Sequence, residues 1–357
     1  MYQRKQKREE KVMGENKNKS AVKKYIGRFM KRQESSIILA VLVYVIFVTV
    51  VNPTFLSADN IFNVLRATGF TLITVVGMTL VLITGGLDLS VGSVLALGGV
   101  ATGMACTSGI PVWIAVLIGV SVGAVIGCIN GFIIVKAGIP PLIVTLGMQY
   151  AARGLVSVLT EGVPIYPLPE GLMKIEQTKI LSIPMVVIVA VLLAVLGHII
   201  LTKTGFGRSV YALGGNEEAA RISGINTQQT KFMVYVIVST LAALAGVFMA
   251  ARLGSAEAAA GTGYELTTIC GAIIGGVSTF GGMGSVAGAA IGALFMEILT
   301  NSLTLMRVSV YWQNLVVGTI LILAVLLDQY KRKIILKNKV ILSKISCPTV
   351  LHLIEWY

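Results

Sequence analysis

The chain has 357 residues, of which 55% are hydrophobic and 13% charged. A soluble domain carries about 25% charged residues and a disordered chain is poor in apolar ones, so both classes are excluded. The net charge of +13 would suggest nucleic acid on a soluble fold. Here the basic residues crowd into the N-terminal arm, one central loop and the C-terminal tail, as the positive-inside rule and attraction to anionic lipid require.

The apolar runs are long and unbroken rather than alternating, which argues against a β-barrel. The apolar fraction corresponds to about 196 residues. At about 20 residues per span, that is material for roughly ten membrane helices. The expected fold class is an all-α polytopic membrane protein of about ten transmembrane helices.

Residues 1–34 form a basic arm, read as cytoplasmic, that includes Arg4, Lys5, Lys7, Arg8, Lys31 and Arg32. It is too long for a signal-peptide n-region, and no small-residue cleavage site follows, so span one (37–51) is read as uncleaved. Residues 63–107 are twice a span's length and break at Gly85-Gly86-Leu87-Asp88-Leu89-Ser90, giving spans two and three. Span four is 112–135, span five 141–160 and span six 184–201. Between the last two, a loop with Pro164, Pro167 and Pro169 fits the outside. A polar, basic segment, 202–231, follows. Spans seven to ten are 232–253, 266–280, 285–306 and 312–328. The membrane domain is thus 35–330, and 331–357 is a cytoplasmic tail opening with Lys331, Arg332 and Lys333. An even number of spans and the basic loops agree on both termini inside.

Residues 86–102 and 263–279 align without a gap. Gly86 faces Gly263, Asp88 faces Glu265, Ser90 faces Thr267, and Gly98-Gly99-Val100 faces Gly275-Gly276-Val277. Asn130…Gly147 matches Asn301…Gly318 at equal spacing. The two copies lie five spans apart, so the second would be upside down, an inverted repeat of the kind transporters use.

Glycines recur every fourth residue at Gly119, Gly123, Gly127 and Gly131, and at Gly284, Gly288 and Gly292. Such a stripe lies on one helical face and lets backbones approach closely, either within one subunit or at a dimer seam. Polar residues inside apolar spans are costly and face a cavity or a partner. Arg153, Glu297, Asn130, Gln149, Asn301, Gln313 and Asn314 fit either a satisfied interhelical bond or the lining of a path for a hydroxyl-rich solute. Asp88 with Ser90, and Glu265 with Thr267, each open a glycine-interrupted helix, as pathway groups or as helix caps.

In segment 202–231, Asn216 can cap a short helix, Glu217–Ile222, and Gly224 can end it. A short amphipathic helix between glycine hinges suits a docking element, and a solvated loop is the other reading. No phosphate-binding GxxxxGK[ST] occurs, and Gly-Lys is absent as a dipeptide, so any ATP must be bound by another chain. Cys106, Cys128, Cys270 and Cys347 have no CxxC spacing, and His198 and His352 form no HExxH. No metal or cofactor is expected.

The stretches Val76-Gly77-Met78-Thr79-Leu80, Thr84-Gly85-Gly86-Leu87-Asp88-Leu89-Ser90-Val91-Gly92-Ser93, Ala212-Leu213-Gly214-Gly215-Asn216-Glu217, Ala220-Arg221-Ile222-Ser223-Gly224-Ile225 and Ala260-Gly261-Thr262-Gly263-Tyr264-Glu265-Leu266 resemble the ribose-type permease subunits of bacterial ATP-driven sugar importers. The resemblance covers about residues 36–328. It implies a plan similar to the vitamin B12-type importer permeases, and a permease homodimer or heterodimer in the bacterial inner membrane. It also implies an extracytoplasmic sugar-binding protein and a cytoplasmic two-domain ATPase that binds ATP and Mg. Gly214, Gly215, Asn216, Glu217, Ala220, Arg221 and Gly224 would couple to that ATPase. Asp88, Ser90, Asn130, Gln149, Glu265, Thr267, Asn301 and Asn314 would line the path, and the chain itself would not be an enzyme. Ribose comes first among the sugars, with xylose, galactose and others open. The tail 334–357 departs from the family pattern. The rival readings are an ion-coupled secondary transporter, which would want a buried carboxylate cluster, and an intramembrane protease, which would want a Gly-x-Ser-Gly nucleophile setting that this chain lacks.

Overall fold

The computed structural model describes residues 33–180 and 182–346. Most of the basic arm and the end of the tail, with Cys347 and His352, lie outside the described residues. Thirteen α-helices run in chain order among the described residues: α1 (Gln33–Val51), α2 (Ala58–Ile83), α3 (Val91–Thr107), α4 (Val112–Phe132), α5 (Pro141–Thr160), α6 (Glu170–Gln177), α7 (Met185–Lys203), α8 (Gly205–Gly215), α9 (Glu217–Ile222), α10 (Thr227–Leu253), α11 (Tyr264–Ile274), α12 (Val286–Leu305) and α13 (Val310–Ser346). A two-residue strand pair, β1 (Lys179–Ile180) and β2 (Ile183–Pro184), precedes α7.

Seven of these helices are long and apolar enough to cross a membrane: α2, α4 with its continuation to Ala137, α5, α7, α10, α12 and α13 to Tyr330. Three shorter apolar helices accompany them: Ile37–Val51 within α1, α3 and α11. The chain is a polytopic α-helical membrane protein.

Local chemistry sets the helix ends. Ser57 caps α2 through Asn60 N, and Pro141 opens α5 at the position where its missing N–H is harmless. Gly254, in the left-handed region at φ 65°, ends α10. After α4 the backbone makes one π-helical turn, Ile133–Ala137, and stops at Gly138.

Four stretches differ from the sequence reading. The span expected over 266–280 is a helix only from Tyr264 to Ile274, because Gly275-Gly276 follow and Gly276 takes φ 91°. The outer loop holds α6, whose Leu172 is fully buried. Glu176 on α6 is also buried and pairs with Arg66 of α2 at 3.0 Å. The polar segment 202–231 holds two helices, α8 and α9, rather than one. The last helix runs past 328 to Ser346, since neither Gly nor Pro interrupts it before Pro348.

Burial divides the bundle. The most apolar stretches of α2 and α10 are 83% and 61% buried, whereas that of α13 is 6% buried. Around them α5, α7 and α13 expose Ile143, Val158, Leu192, Leu196, Ile322 and Leu327. In water those surfaces would aggregate. In lipid they are the proper outer face, and helix association must come from close packing instead.

The glycine stripe of α4 supplies that packing within one subunit. A methyl on Gly119 would lie 2.6 Å from Gly98 O on α3. One on Gly123 would lie 2.6 Å from Ser239 O, and one on Gly127 2.7 Å from Tyr235 O, both on α10. One on Gly131 would lie 2.9 Å from the Phe232 ring. The second stripe is shorter than the spacing suggests. A methyl on Gly288 would strike Gly275 O, and one on Gly292 would strike Gly271 O, both against the α11 end. Gly284 precedes α12 at φ 144° and packs on Val277 instead, because the Ser285 cap, at φ −146°, starts the helix after it.

The two repeat units have matching neighbours. Helix α3 packs on α4, α5 and α10, and α11 packs on α12, α13 and α2. Helix α4 packs on α10 as α12 packs on α2, and α2 and α10 meet each other. Helices α1 and α7 fall outside the pattern: α1 packs on α12, and α7 on α2.

Candidate translocation path and lever

Asp88 sits in the irregular link between α2 and α3. Its Oδ1 accepts from Ser90 N at 2.8 Å and from Ser90 Oγ at 2.6 Å. Ser90 Oγ in turn accepts from Asn130 Nδ2 of α4 at 3.1 Å. All three residues are fully buried. Asp88 therefore tightens the turn before α3, and Ser90, at the cap position, makes no side-chain cap bond to the helix. Asp88 Oδ2 and Asn130 Oδ1 are buried without a hydrogen-bond partner among the described residues.

Glu265, on the first turn of α11, meets a different helix. Its Oε1 accepts from Gln149 Nε2 of α5 at 3.0 Å, and its Oε2 is buried without a hydrogen-bond partner among the described residues. Gly92 of α3 lies against it: a methyl there would overlap Glu265 Oε2 and Gly261 O. One turn along α5, Arg153 Nη1 donates to Ala258 O and Ala260 O, at 2.6 Å each. Gln149 thus pins α5 to α11, and Arg153 pins it to the strap joining α10 to α11. Both are half-buried, on a helix whose other side faces outward.

The remaining sequence candidates do not join either cluster. Thr267 is half-buried on α11. Its neighbour Thr268 makes the inward contacts, donating to Tyr264 O at 2.7 Å and lying 3.4 Å from Thr74 Oγ1. Asn301 of α12 pairs reciprocally with Asn60 of α2, at 3.0 and 2.9 Å, which is a helix-to-helix clamp. Asn314 is exposed on α13, while Gln313 bonds Val308 O at 3.0 Å. A third polar group carries Glu297: the buried Thr71 donates through Oγ1 to Glu297 Oε1 and lies 2.8 Å from Tyr264 OH. Thr71 and Tyr264 carry no spacing signal in the sequence.

The candidate lever consists of α8 and α9. Thr204 caps α8 through Gly207 N at 3.1 Å. Asn216 Oδ1 accepts from Ala219 N at 2.9 Å, so α9 starts at Glu217. Lys231 Nζ on α10 donates to both Glu217 oxygens, at 2.6 and 2.7 Å. Glu218 and Arg221 pair at 2.7 Å in the open. That pairing holds the Glu218 carboxyl below its ordinary range and the Arg221 guanidinium above it. Ala220 is buried, and Ile222 at the tip is 78% exposed. Gly224 follows at φ 83°. A six-residue helix with both ends fixed and an apolar tip in the open is a formed protrusion rather than a slack loop.

Gly214 and Gly215 are not free hinges. They are the last residues of α8, and Gly214 lies on the end of α2 and on the turn after α11. A methyl on Gly214 would strike Ile83 O and come within 2.5 Å of Gly282 N. Gly282 N itself donates to Ile83 O at 2.8 Å.

The bundle with buried carboxylates, interrupted short helices and a protruding capped helix belongs to the class of polytopic membrane transport proteins. Within that class the chain belongs to the branched-chain amino acid transport system / permease component family, whose model matches residues 60–325. It is 41% identical to the ribose import permease protein RbsC of Bacillus subtilis (strain 168), over 82% of this chain and 92% of that protein. It is 35% identical to the D-allose transport system permease protein AlsC of Escherichia coli (strain K12), over 84% and 92%. To the xylose transport system permease protein XylH of the same strain it is 32% identical, over 83% and 91%. No solved structure matches. The chain is a multi-pass membrane transport subunit.

Proposed function

We propose that this chain is the membrane-spanning permease subunit of an ATP-driven importer for a monosaccharide, ribose first. The likeness to RbsC of Bacillus subtilis supports the sugar, since AlsC and XylH match at lower identity. The single observation that carries the mechanism is α9, a short capped helix that presents Arg221 and Ile222 to a partner while Glu217 ties it to α10. A separate two-domain ATPase would seat α9 in a cleft and bind ATP and Mg itself. An extracytoplasmic binding protein would deliver the sugar to the opposite face.

On this reading the subunit crosses the bacterial inner membrane ten times, using the seven long helices and the three short ones, with both termini in the cytoplasm. The matching neighbours of α2–α5 and α10–α13 support an inverted repeat and a plan similar to the vitamin B12-type importers. Two copies, identical or not, would flank the pathway. The Gln149–Glu265–Arg153 group is the better placed of the two polar sites to meet a solute. It lies between α5 and the strap, whereas the Asp88–Ser90–Asn130 group is sealed. A polyhydroxy solute would exchange hydrogen bonds with Glu265 and Gln149 as α5 separates from the strap.

The test is uptake of labelled ribose in proteoliposomes holding the permease, its ATPase and its binding protein. ATP-dependent accumulation that survives a protonophore is the expected result. Accumulation without ATP that collapses with the ion gradient would establish a secondary transporter instead.

A further inference from the structure

We propose that Asp328 is a positioning residue of the transport cycle: it holds the turn after α11 against Gly214, so that displacement of α8 and α9 reaches the second half of the membrane domain. This inference rests on the reading of α9 as an ATPase-driven lever.

The turn covers residues 275–285. It carries five glycines, of which Gly276, Gly281, Gly282 and Gly284 have positive φ, so its own backbone is poorly constrained. Its shape is imposed from four directions. Within the turn, Ser278 N donates to Met283 O at 3.0 Å. From α2, Ile83 O accepts from Gly282 N. From α8, Tyr211 OH donates to Gly284 O at 2.8 Å, and Gly214 and Gly215 pack directly on Gly281 and Gly282. A methyl on Gly281 would lie 2.8 Å from Gly214 O, and one on Gly282 3.1 Å from Gly215 N. From α13, Asp328 Oδ2 accepts three bonds: Ser278 Oγ at 3.0 Å, Thr279 N at 3.0 Å and Thr279 Oγ1 at 3.1 Å.

A single carboxylate oxygen with three donors from two adjacent residues is a charge-assisted clamp, the stronger kind of hydrogen bond. It joins the last membrane helix to a segment that touches α8, the end of α2 and the start of α12. Without it, α8 would still press on Ile83 of α2. The glycine-rich turn could then yield, and α11 to α13 would not follow. The two halves of the repeat would move out of step, and ATP would be consumed without transport. Backbone packing at the glycines makes the contact stiff, and the Asp328 clamp makes it shared.

The experiment compares Asp328→Asn, Asp328→Glu and Thr279→Val in the reconstituted permease–ATPase–binding-protein complex. The readouts are ATPase co-purification, ATP hydrolysis and ribose transported per ATP. Asp328→Asn is expected to keep co-purification and hydrolysis while transport per ATP falls about tenfold, equivalent to about 1.4 kcal/mol. Asp328→Glu should recover part of the loss. Thr279→Val removes one of the three bonds, keeps the carboxylate, and should give a smaller loss of the same kind. It also keeps the test informative if Asp328→Asn folds poorly. Uptake and hydrolysis falling in proportion, or transport per ATP unchanged in Thr279→Val and Asp328→Asn, would overturn the role. Failure of the underlying functional reading shows separately, as an unmodified complex that transports without ATP.

Discussion

Asp88 and Glu265 occupy the same place in the two copies of the sequence repeat, yet the fold gives them different surroundings. Asp88 closes on its own turn and on Asn130, inside the glycine-packed contact of α3, α4 and α10. Glu265 reaches across to α5, a helix with an outward-facing side whose Gln149 and Arg153 bind α11 and the strap. On the repeat reading, both copies keep the acid at the mouth of an interrupted helix. What differs is the packing partner: the α4 glycine stripe brings backbone to backbone on one side, while Gly147 and Gly154 of α5 have open space around them. One acid sits inside a stiff block, and the other lies against a face that can part.

The strongest way to break this comparison is to destroy the stiff block. Gly127→Leu places a branched side chain where even a methyl meets Tyr235 O at 2.7 Å and Val236 Cα at 2.7 Å. Backbone cannot step aside as a side chain can, so the cost should reach about 3 kcal/mol, the upper part of the usual overpacking range. Size-exclusion recovery in detergent should show loss of the monodisperse subunit. Gly147→Leu, the same change on α5, should leave recovery intact.

Next come the two acids. Asp88→Ala strands the Ser90 N–H and hydroxyl without their acceptor, which costs about 1–3 kcal/mol in a buried site. It should lower the thermal unfolding temperature. Glu265→Gln keeps the volume and a hydrogen bond to Gln149. It should leave the unfolding temperature nearly unchanged while ribose uptake falls about tenfold, equivalent to 1.4 kcal/mol. If Asp88→Ala costs only uptake and Glu265→Gln only stability, the assignment of a stiff block and a mobile face is reversed. A smaller uptake loss is expected for Gln149→Ala, and none for Asn314→Ala, whose side chain faces outward.

The smallest effect is that of pH on the lever. Glu218 titrates below its ordinary value of about 4.3 because Arg221 bonds its ionised form. A depressed carboxyl pKa contributes stability that is complete above the unfolded value and is lost as pH falls through the folded one. Co-purification of the ATPase should therefore be flat from pH 6 to 8, with any weakening confined to acid below the unfolded value.

Much of this is legible in the sequence. Asn216, the two acids after it and Gly224 spell a capped short helix, because capping depends on neighbours in sequence. The α4 stripe was legible because glycine at every fourth residue has a geometric meaning on a helix. Gly284 was misread as part of a helical stripe, since spacing does not show that Ser285 begins the helix. Asn301 looked like a lining residue, and its partner Asn60 lies 241 residues away, a distance that no local pattern bridges. Asp328 ends the span read over 312–328, and most of the turn it clamps falls inside the span read over 266–280. Long-range polar pairing is set by how the helices dock, which their individual sequences do not encode.

The account stands or falls on α9. Ile222→Asp alters a side chain that is 78% exposed and should leave folding untouched. In the reconstituted complex, the predicted result is an unchanged unfolding temperature with lost ATPase co-purification and lost ATP-dependent ribose uptake. Full uptake in that variant, or in a subunit purified without any ATPase, would contradict it.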